Sequence, residues 1–421
     1  MTRRLIILSS VPLAAFALLL ALLSGGAAHA SRPRTQPGAI VLPAVGATNR
    51  LALELLTKLG PTGNLVFSPY SIQAALAMVD QGAAGSTATQ IGHVLGSQDS
   101  TALGAAEAAL ANDLKGTTIV PTGTPNQDSA QLLVANGLWV QSGMALESPF
   151  RTALQQDFGA APESLEFGSA PDAARQTINN WVAGHTAQLI KNLMPPGSIN
   201  GQTALVLANA IYLKAHWANP FVKASTTDRP FSTAPGERVS VPFMTEPSFA
   251  AQYGHGSGYQ AIELDYADSG LSMLAVMPAQ GTLARFQRSL TAAGLAAVLR
   301  SLALRNVDLQ MPRVSLNLHT SLNDALSTLG MPVAFTDGAD FSRITRATGL
   351  KIHDVEHGAV MKVDEAGTVA AAATGVALTP TAVLGGPAVE LSLNHPYLLF
   401  LRDRNTGAIL FAARVANPAA G

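Results

Sequence analysis

Serine and histidine side chains are the groups with which this chain could carry out nucleophilic chemistry, and it contains nine histidines. The nucleophilic serine of an α/β-hydrolase lies between two glycines in the pattern G-x-S-x-G, where a tight turn projects its hydroxyl. No serine of this sequence fits that pattern, and none of its seven lysines follows a serine by three residues. The sequence therefore disfavours catalysis by an activated serine.

Metal and phosphate chemistry also lack their usual patterns. The zinc motif H-E-x-x-H and the phosphate-binding motif G-x-x-x-x-G-K are both absent. Because the chain has no cysteine, a zinc site would need histidines and carboxylates in a cluster that no spacing suggests. We therefore expect no enzymatic activity, no metal site and no cofactor.

Composition limits the partners further. The 421 residues are 48% hydrophobic and 13% charged, which is enough apolar sequence for a large globular core. The net charge of -1 creates no field of one sign that would attract nucleic acid. Without cysteine there are no disulfides, so the packed core must supply the stability.

The N-terminus has the pattern of a secretory signal peptide over residues 1–30. Arg3 and Arg4 precede an apolar stretch from Leu5 to Leu23, and small residues lead up to Ala30, where cleavage is expected. An uncleaved membrane anchor is the alternative, because the apolar stretch is nearly long enough to span a bilayer. The pattern predicts a secreted or periplasmic protein. The excess of arginine over lysine, with many alanines and glycines, suggests a GC-rich bacterial genome.

Residues 31–46 contain three prolines without an apolar period, which is typical of a flexible leader. The fold is expected to begin near Ala47 and to form one domain over residues 47–419. Ser68 before Pro69 predicts a helix start, with a capping hydroxyl followed by proline at the first helical position.

Strand patterns dominate later in the chain. LLVANGLWVQ alternates, and ALVLANAIYLKAHW is nearly continuous apolar sequence, which indicates a strand covered on both faces. YLLFLRDRNTGAILFAARV predicts a hairpin that turns at Asn405, Thr406 and Gly407. Helices early and strands late favour an α+β fold.

A run of small residues near the C-terminus, VDEAGTVAAAATG at 363–375, is ambiguous from local sequence. Its four alanines favour a helix, but Gly367 and Gly375 on either side oppose one. No residue from Thr368 to Gly375 is charged or bulky, so the run could enter a packed interior without a desolvation penalty. A helix, a linker and a strand all stay open at this point.

Seven segments in order resemble one family, the serpins, across nearly the whole chain after residue 46. They are NLVFSPYSIQAALAMVDQGAAGST, TINNWVAGHTAQLIKNLM, LVLANAIYLKAHW, VSVPFM, IELDYADSGLSMLAVMP, HGAVMKVDEAGTVAAAATG and HPYLLFLRDRNTGAILFAARVANP. The resemblance implies a serpin fold with three β-sheets, eight or nine helices and an exposed reactive-centre loop at about 365–390. In the family, a target protease attacks this loop.

The resemblance also interprets the small-residue run as a hinge that inserts as a strand into the main sheet after cleavage. The implied hinge residues are Glu365, Gly367, Thr368, Val369, Ala370, Ala371, Ala372 and Ala373. Because side chains alternate along a strand, Thr368, Ala370, Ala372 and Thr374 would face the body of the protein. Val369, Ala371, Ala373 and Gly375 would face outward.

The resemblance implies two clusters of functional residues, identified by their positions in the family's motifs. Beneath the sheet, where strands must part, the resemblance implies a cluster, called the shutter, of Ser68, Ser71, Asn209 and His357. At the upper end, called the breach, where the loop first enters, it implies Trp217, Arg313 and Glu365. An Arg313–Glu365 ion pair is expected; helix capping by Ser68 and a plain core role for Trp217 are the alternatives.

The implied function is suicide-substrate inhibition of serine proteases, in which loop insertion traps the covalent acyl-enzyme. Counting from the hinge puts the scissile bond at Thr381–Ala382, whereas counting back from Pro396 shifts it through Val383 towards Leu384 and Gly385. The loop has no lysine or arginine, which favours elastase-like or subtilisin-like targets. Leu384 leaves chymotrypsin-like targets open.

The remaining expectations concern other partners. Lys115 is the only cation in TALGAAEAALANDLK, the stretch that carries basic residues in glycosaminoglycan-activated serpins, so no such activator is expected. A monomer is expected. A non-inhibitory serpin that binds ligands or assists folding is the alternative function.

Overall fold

The computed structural model describes residues 38–118, 130–267, 269–347, 349–368 and 387–420. Nine α-helices occur in these ranges. They are α1 (Leu42–Lys58), α2 (Pro69–Asp80), α3 (Gly85–Leu95), α4 (Ser100–Thr118), α5 (Ser148–Phe158), α6 (Pro171–His185), α7 (Leu283–Ser289), α8 (Ala292–Ser301) and α9 (Asn323–Leu329). No helix within the described ranges is long and apolar enough to cross a membrane.

Fifteen strands also occur in the described part of the chain. They are β1 (Leu65–Phe67), β2 (Gln131–Gln141), β3 (Glu163–Leu165), β4 (Leu205–His216), β5 (Thr227–Ala234), β6 (Glu237–Gly256), β7 (Tyr259–Asp265), β8 (Leu271–Pro278), β9 (Ala303–Pro312), β10 (Val314–Ser321), β11 (Asp354–Val363), β12 (Gly367–Thr368), β13 (Val389–Ser392), β14 (Tyr397–Asp403) and β15 (Ile409–Val415). The fold is α+β, as the sequence predicts.

The strands form two hydrogen-bonded sheets. The six-stranded sheet has the order β10-β11-β12-β4-β2-β3, and the nine-stranded sheet has the order β1-β15-β14-β8-β7-β6-β9-β13 with β5 paired to β6. Three sheets were expected. The difference arises because β6 pairs with β5 along its first half and with β7 along its second, while β9 pairs with both halves across a register shift between Glu246 and Phe249.

Local sequence accounts for the elements that carry the site. Ser68 caps α2 by accepting a hydrogen bond from the Ser71 amide, and Pro69 is the first helical residue. β4 is covered on both faces: Leu207 packs in the core that contains α2, whereas Ala208 packs in the core that contains α6. The predicted hairpin is also present, as β14 and β15.

The first helix starts earlier than the sequence suggested. α1 begins at Leu42, five residues before the expected domain start at Ala47 and inside the expected leader. Val41, Ala44 and Val45 are buried in the main core, so apolar packing holds this turn in the fold.

β4 and β11 are parallel neighbours along only part of their length. They pair directly from Val206 opposite Asp354 to Ile211 opposite Ala359. Beyond that point they separate, and β12 lies between them, with Thr368 opposite both Ala215 and Val363. The six-stranded sheet therefore already holds two residues of an additional strand at one end.

Candidate functional site

The hinge enters the sheet through close backbone contacts. Gly367 pairs with His216 and has a φ of 153°, a conformation that favours glycine. A Cβ at this position would lie 2.0 Å from the Ala215 carbonyl oxygen. Only glycine lets β12 approach β4 this closely.

Thr368 is the next residue, and its side chain faces the interior. It is 2% exposed, and its hydroxyl forms a hydrogen bond with the hydroxyl of Tyr266. Tyr266 stacks on Trp217 with ring centroids 4.5 Å apart and an interplanar angle of 9°. The inward orientation predicted for Thr368 is therefore observed.

Trp217 is both a core residue and a hinge contact. Its indole Nε1 donates to the Asp364 carbonyl oxygen and its amide donates to the Ala366 carbonyl oxygen, each at 2.9 Å. The Phe221 amide donates in the same way to the Glu365 carbonyl oxygen. The segment that follows β4 thus pairs with the hinge backbone before β12 begins.

The predicted ion pair is present and better formed than an exposed pair. Arg313 donates from Nε to both oxygens of Glu365, at 3.0 and 3.1 Å, and from Nη2 to Oε1 at 2.6 Å. The Thr226 hydroxyl also donates to Glu365 Oε1. Burial raises the pKa of Glu365, but the hydrogen bonds from Arg313 and Thr226 outweigh it and hold the pKa below its usual range. Glu365 therefore connects Arg313, which lies between β9 and β10, to Thr226, which directly precedes β5.

The four residues expected beneath the sheet do come together. His357 and Asn209 are opposite each other on β11 and β4. His357 Nδ1 donates to Asn209 Oδ1 at 2.6 Å, and the Ser68 amide donates to His357 Nε2 at 3.1 Å. Asn209 Nδ2 lies within hydrogen-bonding distance of the carbonyl oxygen and the hydroxyl of Ser71. Ser68 thus both caps α2 and binds the histidine.

Asn136 is a fifth member that the sequence analysis missed. It lies opposite Asn209 on β2, and its Oδ1 accepts from Asn209 Nδ2 and, at 3.3 Å, from the Ser71 hydroxyl. The only signal in the sequence is an asparagine inside LLVANGLWVQ, and its partner becomes clear only from the β2–β4 register. The polar cluster, meaning Ser68, Ser71, Asn136, Asn209 and His357, therefore spans three strands and α2.

The histidine of the polar cluster is neutral. Burial, and next the charge of His319, lower the pKa of His357 to about 3. With Nε2 accepting a hydrogen bond, the proton must reside on Nδ1, where it is donated to Asn209. The Asn209–His357 bond is therefore a direct cross-strand link between β4 and β11.

The other predicted loop residues lie outside the described residues. These are the hinge residues Val369, Ala370, Ala371, Ala372 and Ala373, and the candidate scissile-bond residues Thr381, Ala382, Val383, Leu384 and Gly385. Glu365, Gly367 and Thr368 are described, and all three contact the upper end of the six-stranded sheet.

Fold and site together define an α+β protein whose main sheet holds the start of an extra strand above a buried polar cluster. The family model described as "Serpin (serine protease inhibitor)" matches residues 46–418. The chain belongs to the serpin family.

Individual relatives agree with this assignment. The chain is 34% identical over 384 residues to the leukocyte elastase inhibitor of Bos taurus, with 88% of this chain and 98% of that protein covered. It is 33% identical over 377 residues to serine protease inhibitor 42Dd of Drosophila melanogaster, with 88% and 96% covered. Among solved structures, human thyroxine-binding globulin complexed with thyroxine matches with a TM-score of 0.78 at 27% identity, with 90% of this chain and all of that chain covered.

The serpin fold expected from the sequence is confirmed. The inference of a bacterial source is not borne out, because the relatives include insect and mammalian proteins and a serpin-like protein of the archaeon Thermococcus kodakarensis.

Proposed function

We propose that this protein is a suicide-substrate inhibitor of serine proteases that traps the acyl-enzyme by inserting its loop between β4 and β11. The observation that carries the proposal is the position of β12, which pairs with both strands at the end where they separate. Insertion would then extend a strand that already exists. Inhibition of this kind needs no catalytic group of the protein's own, which fits the missing nucleophile motifs.

The strand register supports a specific position for an inserted loop. Thr368 is opposite Ala215 and Val363, and each further residue moves one pair down the sheet. Six residues on, at Thr374, the loop would lie between Asn209 and His357, which are six residues back along β4 and β11. The hydrogen bond between these two side chains must therefore break for the loop to pass.

The energetics favour insertion once the loop is cut. An uncut loop is tied at both ends, whereas a cut loop is free to pair along its length with strands on both sides. The small side chains from Val369 to Ala373 add no charge to be desolvated. Each inserted residue would carry the bound protease about 3.3 Å along the sheet. Trapping succeeds when insertion is faster than hydrolysis of the acyl-enzyme.

The proposal also covers the target proteases, the location of the protein and its oligomeric state. We place the scissile bond at Thr381–Ala382, with Val383, Leu384 and Gly385 as neighbouring candidates, and assign elastase-like or subtilisin-like proteases as targets because the loop contains no cation. The proposed protein is a secreted or periplasmic monomer that needs no glycosaminoglycan. The elastase named as the target of the bovine relative supports this target class.

A protease panel tests the proposal. The protein is incubated with elastase, subtilisin and trypsin, and covalent complexes are counted on a denaturing gel. Mass spectrometry of the released C-terminal fragment should place the cut between Pro380 and Gly385. A matched reaction uses protease with a blocked catalytic serine, which cannot acylate and should give no complex. Cleavage without any complex from all three proteases would contradict inhibition, and inhibition of trypsin alone would contradict the target class.

A ligand-carrying role is the second candidate. It is favoured by the structural likeness to thyroxine-binding globulin, whose structure contains a bound small molecule. It predicts that cutting the loop with a protease that is not trapped leaves the thermal midpoint unchanged.

A further inference from the structure

Tyr266 contacts the hinge although it lies at the end of a strand from a different sheet. It directly follows β7 of the nine-stranded sheet and makes a single antiparallel bridge with Trp217, which directly follows β4 of the six-stranded sheet. Its side chain is 2% exposed and its ring lies flat against the Trp217 indole. The tyrosine is thus fixed between the two sheets.

The hydroxyl of this fixed ring has one described partner, the Thr368 hydroxyl. Burial raises the pKa of Tyr266 far above its usual range, so the phenol stays protonated and can donate or accept. Both hydroxyls are buried, and a buried hydroxyl without a partner is destabilising. Among the described residues, each hydroxyl therefore has the other as its partner only while Thr368 lies in the sheet.

We infer that Tyr266 is a positioning residue whose hydroxyl holds Thr368 in the sheet before the loop is cut, so that insertion extends an existing strand rather than starting a new one. This inference rests on the proposed function. In this view, insertion starts from a side-chain contact made by a residue that follows β7 of the nine-stranded sheet. That residue lies outside β4 and β11, the two strands that would receive the loop.

The described backbone pairing of Thr368 is short, which gives this side-chain contact its weight. Within the described residues β12 consists of Gly367 and Thr368, and two residues form few ladder bonds. The residues before them are held by Trp217, Phe221 and Arg313, whereas the Tyr266 hydroxyl is the side-chain partner that the structure describes for Thr368 itself. Its loss should move the hinge outward without unfolding the protein, because the Tyr266 ring keeps its stack on Trp217 when only the hydroxyl is removed.

A double-mutant cycle tests the inference with Tyr266→Phe, Thr368→Val and both together. The first readout is amide hydrogen exchange of Gly367 and Thr368 in the uncut protein, which needs no protease. The second is the share of cut protein that ends in covalent complex with elastase. Tyr397→Phe is the matched control, because that tyrosine is fully buried on β14 and its hydroxyl has no hydrogen-bond partner among the described residues.

Each single variant should exchange the two amides about tenfold faster and shift the reaction from complex towards cut product, since one buried hydroxyl loses its partner. The double variant should return towards the parent in both readouts, because no unpaired hydroxyl is left. The control should match the parent. Unchanged exchange in Tyr266→Phe, or a double variant no better than the singles, would overturn the inference. If the parent itself traps no protease, the proposed function fails, and the exchange arm alone decides the role of Tyr266.

Discussion

Replacing Thr368 by arginine would test insertion at its first step. The side chain is 2% exposed, so a guanidinium there must enter the protein interior or push β12 out of the sheet. The hinge offers it no free carboxylate. Glu365 is already bound by Arg313, and Asp364 Oδ1 accepts from the amides of Ala366 and Gly367. The penalty for such an uncompensated buried charge is several kcal/mol even after relaxation.

The energetic penalty would change the ratio of the two products, covalent complex and released cut protein. Each 1.4 kcal/mol added to the insertion barrier slows insertion about tenfold, so about 3 kcal/mol slows it roughly a hundredfold. Deacylation by the protease is unaffected. If the parent is an inhibitor as proposed, Thr368→Arg should therefore be cut at the parent's bond and released as a substrate.

The assay scores covalent complex against free cut protein with elastase or subtilisin. Val369→Arg is the matched control, because the neighbouring side chain is expected to face outward and should tolerate the charge. Circular dichroism of the uncut variants would establish that both are folded. If Thr368→Arg traps protease with the parent's stoichiometry, the insertion mechanism is wrong.

Three further outcomes are expected. Cutting the loop with a protease that is not trapped should raise the thermal midpoint in calorimetry, because the inserted strand gains two ladders of hydrogen bonds; an unchanged midpoint would mean that no insertion occurs. Gly367→Ala should weaken trapping and speed amide exchange at Thr368, since its methyl group would lie 2.0 Å from the Ala215 oxygen; parent-like values for both would refute the close approach. Burial raises the pKa of Glu107 on α4 to about 8, so the folded state binds its proton more tightly than the unfolded state. The unfolding free energy should then fall as pH rises from about 4.5 to 8, by at most about 1.4 kcal/mol per unit, and urea titrations of Glu107→Gln should show less of this fall.

Much of the fold could be predicted from the sequence because its signals are local. The Ser68–Pro69 pair specifies the start of α2, the apolar run specifies β4, and the turn residues ending at Gly407 specify the last hairpin. The number of sheets could not be predicted in the same way. It depends on whether β6 and β9 keep pairing through their irregularity near Ser248, which is a property of tertiary contacts.

The site residues likewise divide into those that the sequence predicts and those that depend on tertiary contacts. Residues in the family's motifs were found by position, whereas Asn136 and Tyr266 were missed. Asn136 gains its role from its cross-strand position opposite Asn209, and Tyr266 gains its role from a stack between two sheets. Neither the cross-strand position nor the ring stack corresponds to a recognisable spacing of residues in the sequence. How far the hinge enters the six-stranded sheet also could not be predicted, because the small residues after Glu365 suit an exposed loop and an inserted strand equally well.

The register of β12 also says where the barrier to insertion should lie. Direct pairing of β4 with β11 ends at Ile211 and Ala359, four residues back from the pairs of Thr368. The first three residues after Thr368 would therefore enter where β4 and β11 are already apart, without displacing any pair between them. From Ala372 onward every inserted residue must replace an existing pair.

Two positions after Ala372, the advancing strand would reach the level of Asn209 and His357, where a buried side-chain hydrogen bond is added to the backbone pairing. The partners of that bond on α2 and β2 keep both side chains in place. Under the proposed mechanism, entry near the hinge would thus be easy and passage at the polar cluster would be costly. If the loop inserts as proposed, this order would keep the start of the strand in the sheet while a barrier keeps the rest from following, as a kinetically trapped fold requires.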